Sequence, residues 1–223
     1  MSRAGAGFDR MARGYRALEL LAFGGDLERA RFALLPRLSG CRDILLLGEG
    51  DGRCSERLAQ LCPQARITCV DSSAGMIAQA LARTAPYRNR VNFVRADAMD
   101  LDLQPGGFDA VATLFFLDCF TPDQAAALIR RLSPGMRPPA LWLYADFALP
   151  ARGLARLRAR AWLRVLYAFF RWEAGIGARR LPPAEDLLAA EGWLPSEAAT
   201  FQGGLLRSVV FSRAPTGGPA ASP

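Results

Sequence analysis

Apolar positions change period several times along the chain, and each change marks an element. Met11, Tyr15, Leu18, Leu21 and Ala22 recur at three- and four-residue steps, which predicts an amphipathic helix within residues 8–38. "GGD" at 24–26 breaks it, and a second helix is expected from Leu27 to Leu35, ahead of Pro36. Alternation follows. "DILLL" (43–47) reads as a buried strand, "RCSERLAQLC" (53–62) as a helix ended by Pro63, and "RITCV" (66–70) as a strand. "SAGMIAQALART" (73–84) reads as a helix and "VNFVRA" (91–96) as a strand. "FDAVATLFFL" (108–117) is apolar throughout, as expected of a strand covered on both faces. "TPDQAAALIRRL" (121–132) opens with a capping Thr121 and a proline, "SPGMRPP" (133–139) is a loop, and "ALWLYADF" (140–147) is another strand. Strands alternating with helices predict a parallel, right-handed α/β sheet with its site at the carboxyl ends of the strands.

Beyond Pro150 the pattern shifts. Residues 151–172 read as a basic, aromatic helix with Arg152, Arg156, Arg160 and Arg164 at four-residue steps. "LPPAEDLLAAEGW" (181–193) reads as a capped helix with a glycine stop. "SEAATF" and "LLRSVVFSRA", joined by "QGG", form an expected antiparallel pair closing the sheet. The whole predicts a seven-stranded, mostly parallel sheet with a closing hairpin and helices on both faces. The expected layout is a helical cap at 1–39, one main domain at 40–213 with a helical insertion near 150–182, and a disordered tail at 214–223.

Composition narrows the chemistry. A chain of 223 residues, half of them apolar, suits one domain with a sizeable core. No apolar stretch is long enough for a membrane span, and the first residues lack the apolar region of a secretory signal. Cys41, Cys54, Cys62, Cys69 and Cys119 contain no CxxC pair, which points to reduced thiols in a cytoplasm and to no structural metal. There is no histidine, so His-ligated metals and His general bases are excluded. There is no lysine either; the net charge of +7 rests on arginine alone and accompanies no groove-reading or base-stacking motif, so sequence-specific nucleic-acid binding is not expected.

"ILLLGEGDGR" (44–53) carries the sharpest signal. Gly48, Gly50 and Gly52 allow a tight turn and close backbone approach to a ligand. The GxGxxG spacing of dinucleotide binders would place its last glycine at Arg53 or Ser55, so it is absent. Glu49 and Asp51 would repel a pyrophosphate but suit a cationic ligand. Asp71 ends the second strand, where an acid can accept both hydroxyls of a ribose or cap the next helix. Asp97 follows the third strand, where it can accept from an adenine amino group beside the Ala98 N–H, or serve as a loop acid.

With these three signals at successive strand ends, the chain resembles the class I S-adenosylmethionine-dependent methyltransferases over about residues 40–213. The resemblance implies a Rossmann-like fold, S-adenosylmethionine as cofactor and methyl transfer to an acceptor. It places Gly48, Gly50 and Gly52 under the methionine and sulfonium portion, Asp71 on the ribose and Asp97 on adenine. Further cofactor contacts fall on Glu49, Asp51, Ser72, Met76, Ala98, Met99 and Leu114. The family usually has an acid two residues before the first glycine; here that position is Leu46, with Glu49 and Asp51 close by. More narrowly, "FDRMARGY" and "LYAFFRWEAGIGARRLPP" resemble small-molecule methyltransferases of ubiquinone/menaquinone biosynthesis, although their "DxxPGG" signature is absent. That resemblance implies a small, apolar or aromatic acceptor touched by Phe116, Tyr144, Asp146, Tyr167, Phe170 and Arg171.

An oxygen acceptor needs a base, and without histidine the candidates are Asp118 and Tyr15, then Asp146 and Tyr144. Asp118 can equally cap the following helix, and Cys119 reads as a buried small hydrophobe before a nucleophile. The 151–172 helix can line an apolar acceptor pocket, rest its arginines on an anionic membrane, or present a solvated face over the core. An inactive scaffold of the same fold and an RNA or protein methyltransferase are the competing functions. Acceptor identity and oligomeric state are not legible in the sequence.

Overall fold

The computed structural model describes residues 24–150, 152–153, 156–157, 159–163 and 180–214. Seven strands form one sheet in the order β3-β2-β1-β4-β5-β7-β6. β1 (Asp43–Leu47), β2 (Arg66–Asp71), β3 (Val91–Arg95), β4 (Phe108–Leu114) and β5 (Met136–Phe147) are parallel. β6 (Leu194–Phe201) and β7 (Leu206–Arg213) add the antiparallel hairpin, with β7 paired to β5. This is the Rossmann-like architecture. The chain runs outward from β1 to β3 and then returns to place β4 on the other side of β1. The crevice above β1 and β4 is therefore the topological switch point, where ligands bind in open α/β sheets.

The apolar run of β1 is divided between the two faces. Ile44 and Leu46 pack with Ile67, Cys69, Ala110 and Leu58, the last from α2 (Arg53–Leu61). Leu45 and Leu47 pack with Val111 and Trp142, and with Leu128 and Ile129 of α4 (Pro122–Leu132). On the first face lies α1 (Asp26–Phe32), while α3 (Ala74–Arg83) joins β2 to β3 and α5 (Ala184–Ala190) packs on the second face. Trp142 and Trp193 are fully buried with their rings edge to face at 5.3 Å. Their indole N–H groups donate to the hydroxyls of Thr113 and Ser133, so neither polar tip is left without a partner.

The main departures from the reading of the sequence fall at four boundaries, and β6 also starts two residues early, at Leu194. β4 ends at Leu114, three residues early, because the backbone turns into a positive φ of 56° at Phe115. β5 starts at Met136 inside the expected loop; its pairing with β4 jumps from Phe108↔Met136 to Ala110↔Leu141, so the prolines sit in a bulge where no ladder N–H is required. α1 ends at Phe32, and Pro36 opens a separate 3-10 turn (Leu35–Leu38) instead of terminating a helix at Leu35. α5 has Pro183 at its N-cap with no side-chain cap bond, although Gly192 does stop it with φ 82°. The expected helix before residue 24, the segment 164–179 and the tail after 214 lie outside the described residues. No described helix is long and apolar enough to cross a membrane.

Candidate active site

The turn after β1 is built on left-handed backbone, with φ of 66°, 69° and 91° at Gly48, Gly50 and Gly52. A Cβ on Gly48 would lie 2.3 Å from the Phe116 ring, and one on Gly52 would lie 2.6 Å from the Ala80 backbone. A Cβ on Gly50 would meet nothing within 4 Å among the described residues. Two of the glycines thus let protein pack closely, while the middle one leaves room above the turn.

The two acids of the turn have different partners. Asp51 binds the Arg53 guanidinium at 3.0 Å and that of Arg83 at 3.4 Å, so it ties α2 to α3. Glu49 is buried beneath the turn, where its Oε1 accepts from the Ser55 N–H at 2.9 Å and the Ser55 hydroxyl at 2.7 Å. Its Oε2 is buried with no hydrogen-bond partner among the described residues. Burial pushes this carboxyl up to about 7 against the opposing pull of the Ser55 bonds and Arg31. After burial, its charge is what pushes up the thiols of Cys54 and Cys69, which share the core with Leu46.

Asp71 faces the same turn. Its Oδ2 accepts from the Gly50 N–H at 3.0 Å and its Oδ1 from the Ser73 N–H at 2.8 Å. The N-cap of α3 is Ser73, whose hydroxyl accepts from the Met76 N–H, so Asp71 does not serve as that cap. Asp97 accepts from the Met99 N–H at 3.0 Å and caps a short 3-10 turn (Ala98–Asp100). A carboxylate offers about four acceptor positions, more than the single Met99 N–H at Asp97 takes up. Ser72 is half-buried beside Asp71, Met99 packs partly buried near Ala98, and Met76 and Leu114 are core side chains.

Beyond β4 the chain gathers aromatic rings and acids. Phe116 covers Gly48 and meets Phe120 edge to face at 5.1 Å. Phe115 meets Phe147 at 5.5 Å, and the Arg31 guanidinium lies 5.4 Å from the Phe115 centroid. Asp118 and Asp146 are both buried, and the Asp118 N–H donates to Asp146 Oδ2 at 3.0 Å. Burial raises Asp118 to about 6. Asp146 is pushed well above the usual carboxylate range by burial and then by the neighbouring Asp118. Cys119 has its thiol raised by burial and by these acids, which disfavours the thiolate a nucleophile would need. Tyr144 is buried in the core with Trp142 and Trp193. Tyr15, Tyr167, Phe170 and Arg171 lie outside the described residues.

Phe115, Phe147 and Arg31 were missed from the sequence, since an apolar run and a surface-helix arginine carry no signal of what they will face. The pairing of Asp118 with Asp146 was equally hidden: 28 residues separate them, and only the register of β4 and β5 brings them together.

Comparison with known proteins decides the chemistry. A family model described as a methyltransferase domain matches residues 44–138. Demethylmenaquinone methyltransferase from Thermus thermophilus is 31% identical over 166 residues, covering 73% of this chain and 74% of that one. The chain belongs to the class I S-adenosylmethionine-dependent methyltransferases. A ubiquinone/menaquinone biosynthesis C-methyltransferase from Syntrophotalea carbinolica is 28% identical over 192 residues, covering 83% and 79% of the two chains. In fold, this methyltransferase is similar to the Burkholderia thailandensis 1,6-didemethyltoxoflavin-N1-methyltransferase, solved with S-adenosylhomocysteine, at a TM-score of 0.68 and 17% identity over 95% of this chain and 88% of that one. The enzyme uses S-adenosylmethionine, and its crevice fits that cofactor. Among the described residues, the space above Gly50, the acids around it and the Glu49 oxygen without a partner suit a phosphate-free cation.

Proposed function

We propose that this enzyme methylates a small, apolar or aromatic molecule, held by the rings that follow β4 and β5. The observation that carries the reading is the Phe116–Phe120 pair, which covers Gly48 at the switch-point crevice and flanks the buried Asp118, itself held by Asp146. Two relatives are named for demethylmenaquinone and for ubiquinone/menaquinone biosynthesis, and an apolar acceptor agrees with those names.

Residues of the chain take distinct parts. Asp71 accepts from the ribose hydroxyls, Asp97 from the adenine amino group, and the Ala98 N–H donates to an adenine ring nitrogen. Gly50 lets the backbone approach the methionine portion, and Glu49 faces its ammonium in the role that Leu46 cannot fill. Bound S-adenosylmethionine supplies a methyl group on an electron-poor sulfonium. The phenylalanines exclude water and hold the acceptor in line, and such orientation is worth on the order of 7–11 kcal/mol in favourable cases. Asp118 takes the proton of an acceptor that must lose one. Residues 1–39 and 150–182 complete the acceptor side as cap and insertion. Within the latter, Ala159 and Leu163 turn inward while Leu157, Arg160 and Trp162 are exposed, a face suited to an anionic membrane that holds a lipophilic acceptor.

Calorimetric titration with S-adenosylmethionine, S-adenosylhomocysteine and NAD tests the assignment. The first two should bind and NAD should not, and Asp71→Ala should weaken binding by about 2–5 kcal/mol if the ribose hydroxyls are buried against it. Unchanged affinity in Asp71→Ala would remove Asp71 from the site.

A further inference from the structure

We propose that Asp118 and Asp146 work as one carboxyl pair sharing a single proton, with Asp146 as a positioning residue, and that this pair accepts the proton of a hydroxyl-bearing acceptor such as a phenol. The inference rests on the reading above, in which Asp118 faces the acceptor, and it narrows the acceptor class.

The geometry begins with β5. Asp146 is 1% exposed; its Oδ1 accepts from its neighbour's N–H at Phe147 (2.9 Å) and its Oδ2 from the Asp118 N–H (3.0 Å). That second bond ties the turn after β4 to the end of β5 and sets the position of Asp118. The Asp118 carboxyl is 7% exposed and receives the Cys119 thiol at 3.5 Å. Other ionisable groups belong to the same corner. Cys119 comes from the same turn, Asp71 from β2 acts on that thiol, Tyr144 lies two residues back on β5, and Arg207 of β7 stands opposite Asp146 in register. Arg207 is directed to Glu185, to which its Nε donates at 2.6 Å.

Two neighbouring acids with so little water cannot both ionise without confining like charges in a poorly solvating corner. Charging one and protonating the other is the lower-energy state, and burial then favours taking up a second proton because the pair becomes neutral. The step balances. An acceptor oxygen forms its bond to the methyl carbon as the methyl–sulfur bond breaks, and sulfur keeps that electron pair. The O–H proton passes to Asp118, and one proton later leaves the doubly protonated pair for solvent. An acceptor lacking a removable proton gains nothing from this arrangement.

Carbon-13 NMR of protein labelled at the aspartate side-chain carboxyl, titrated with S-adenosylhomocysteine present, reads the pair directly. In the wild type the Asp118 resonance should titrate at about 6, with Asp146 above it. In Asp118→Asn, which removes the charge that opposes ionisation of Asp146, the Asp146 midpoint should fall while S-adenosylhomocysteine affinity is unchanged. An unmoved midpoint overturns the proposal. So does a drop in affinity with no shift, since a purely structural contact would disturb the crevice without altering the titration. If Asp118→Asn does not fold, Asp118→Ala gives the same reading, and the Asp146 midpoint must still fall. Failure of the wild type to bind S-adenosylhomocysteine would count against the proposed cofactor site instead, and the titration would still show whether the pair shares a proton.

Discussion

Replacing Glu49 by Gln makes a test whose size follows from the structure. The carboxyl is buried, one oxygen holds Ser55, the other has no partner among the described residues, and its pKa is raised from 4.5 to about 7. A folded state that keeps a proton the unfolded chain has released loses stability as pH rises. The window runs from about 4.5, below which the contribution is fully present, to about 7, above which it is lost. A shift of that size corresponds to about 3 kcal/mol. Gln keeps an oxygen for Ser55, places an amide where Oε2 lies, and stays neutral at every pH. Urea unfolding of both proteins should therefore show the wild type losing up to about 3 kcal/mol more than Glu49→Gln between acid and mildly alkaline pH. Asp118 and Asp146 titrate in the same sense in both proteins, so they cancel in the difference. The variant should also lose affinity for S-adenosylhomocysteine but not for 5′-methylthioadenosine, which lacks the amino-acid portion. Parallel stability curves would refute the account of burial, and equal losses for both ligands would refute the ammonium contact.

Two further outcomes follow. Gly52→Ala would force a side chain into a φ of 91° and into the Ala80 backbone at 2.6 Å, so a loss of at least about 1–3 kcal/mol is expected in the same unfolding assay; an unchanged midpoint would show that α3 can retreat. Sedimentation with phosphatidylglycerol vesicles should pull down the wild type more than Arg160→Ala or Trp162→Ala, while phosphatidylcholine vesicles should bind neither; equal binding to both lipids would exclude the electrostatic contact.

Much of the fold was legible because both strand and helix periods are local. "DILLL" is the strand buried on both faces that its apolar run predicted, and Thr121 is the N-cap expected ahead of the proline, with Gln124 completing a reciprocal cap. The strand ends at Asp71 and the turn at Asp97 lie where the alternation placed them. The misread boundaries of β4 and β5 share one cause. A proline or an apolar run reports what its own residue tolerates, but the β5 bulge at the prolines and the turn at Phe115 answer to pairing partners elsewhere in the chain.

The sequence by itself determined the architecture, the glycine turn and the absence of histidine chemistry, because these depend on residue type and near neighbours. Only the tertiary structure decided what the acids do. Asp51 meets arginines, Glu49 turns under the backbone toward Ser55, and Asp118 settles against Asp146. Nothing in the spelling of "GEGDG" or "LDCF" distinguishes these fates. A carboxylate's role is set by solvent and by the charges around it, and both exist only once distant strands have been brought together.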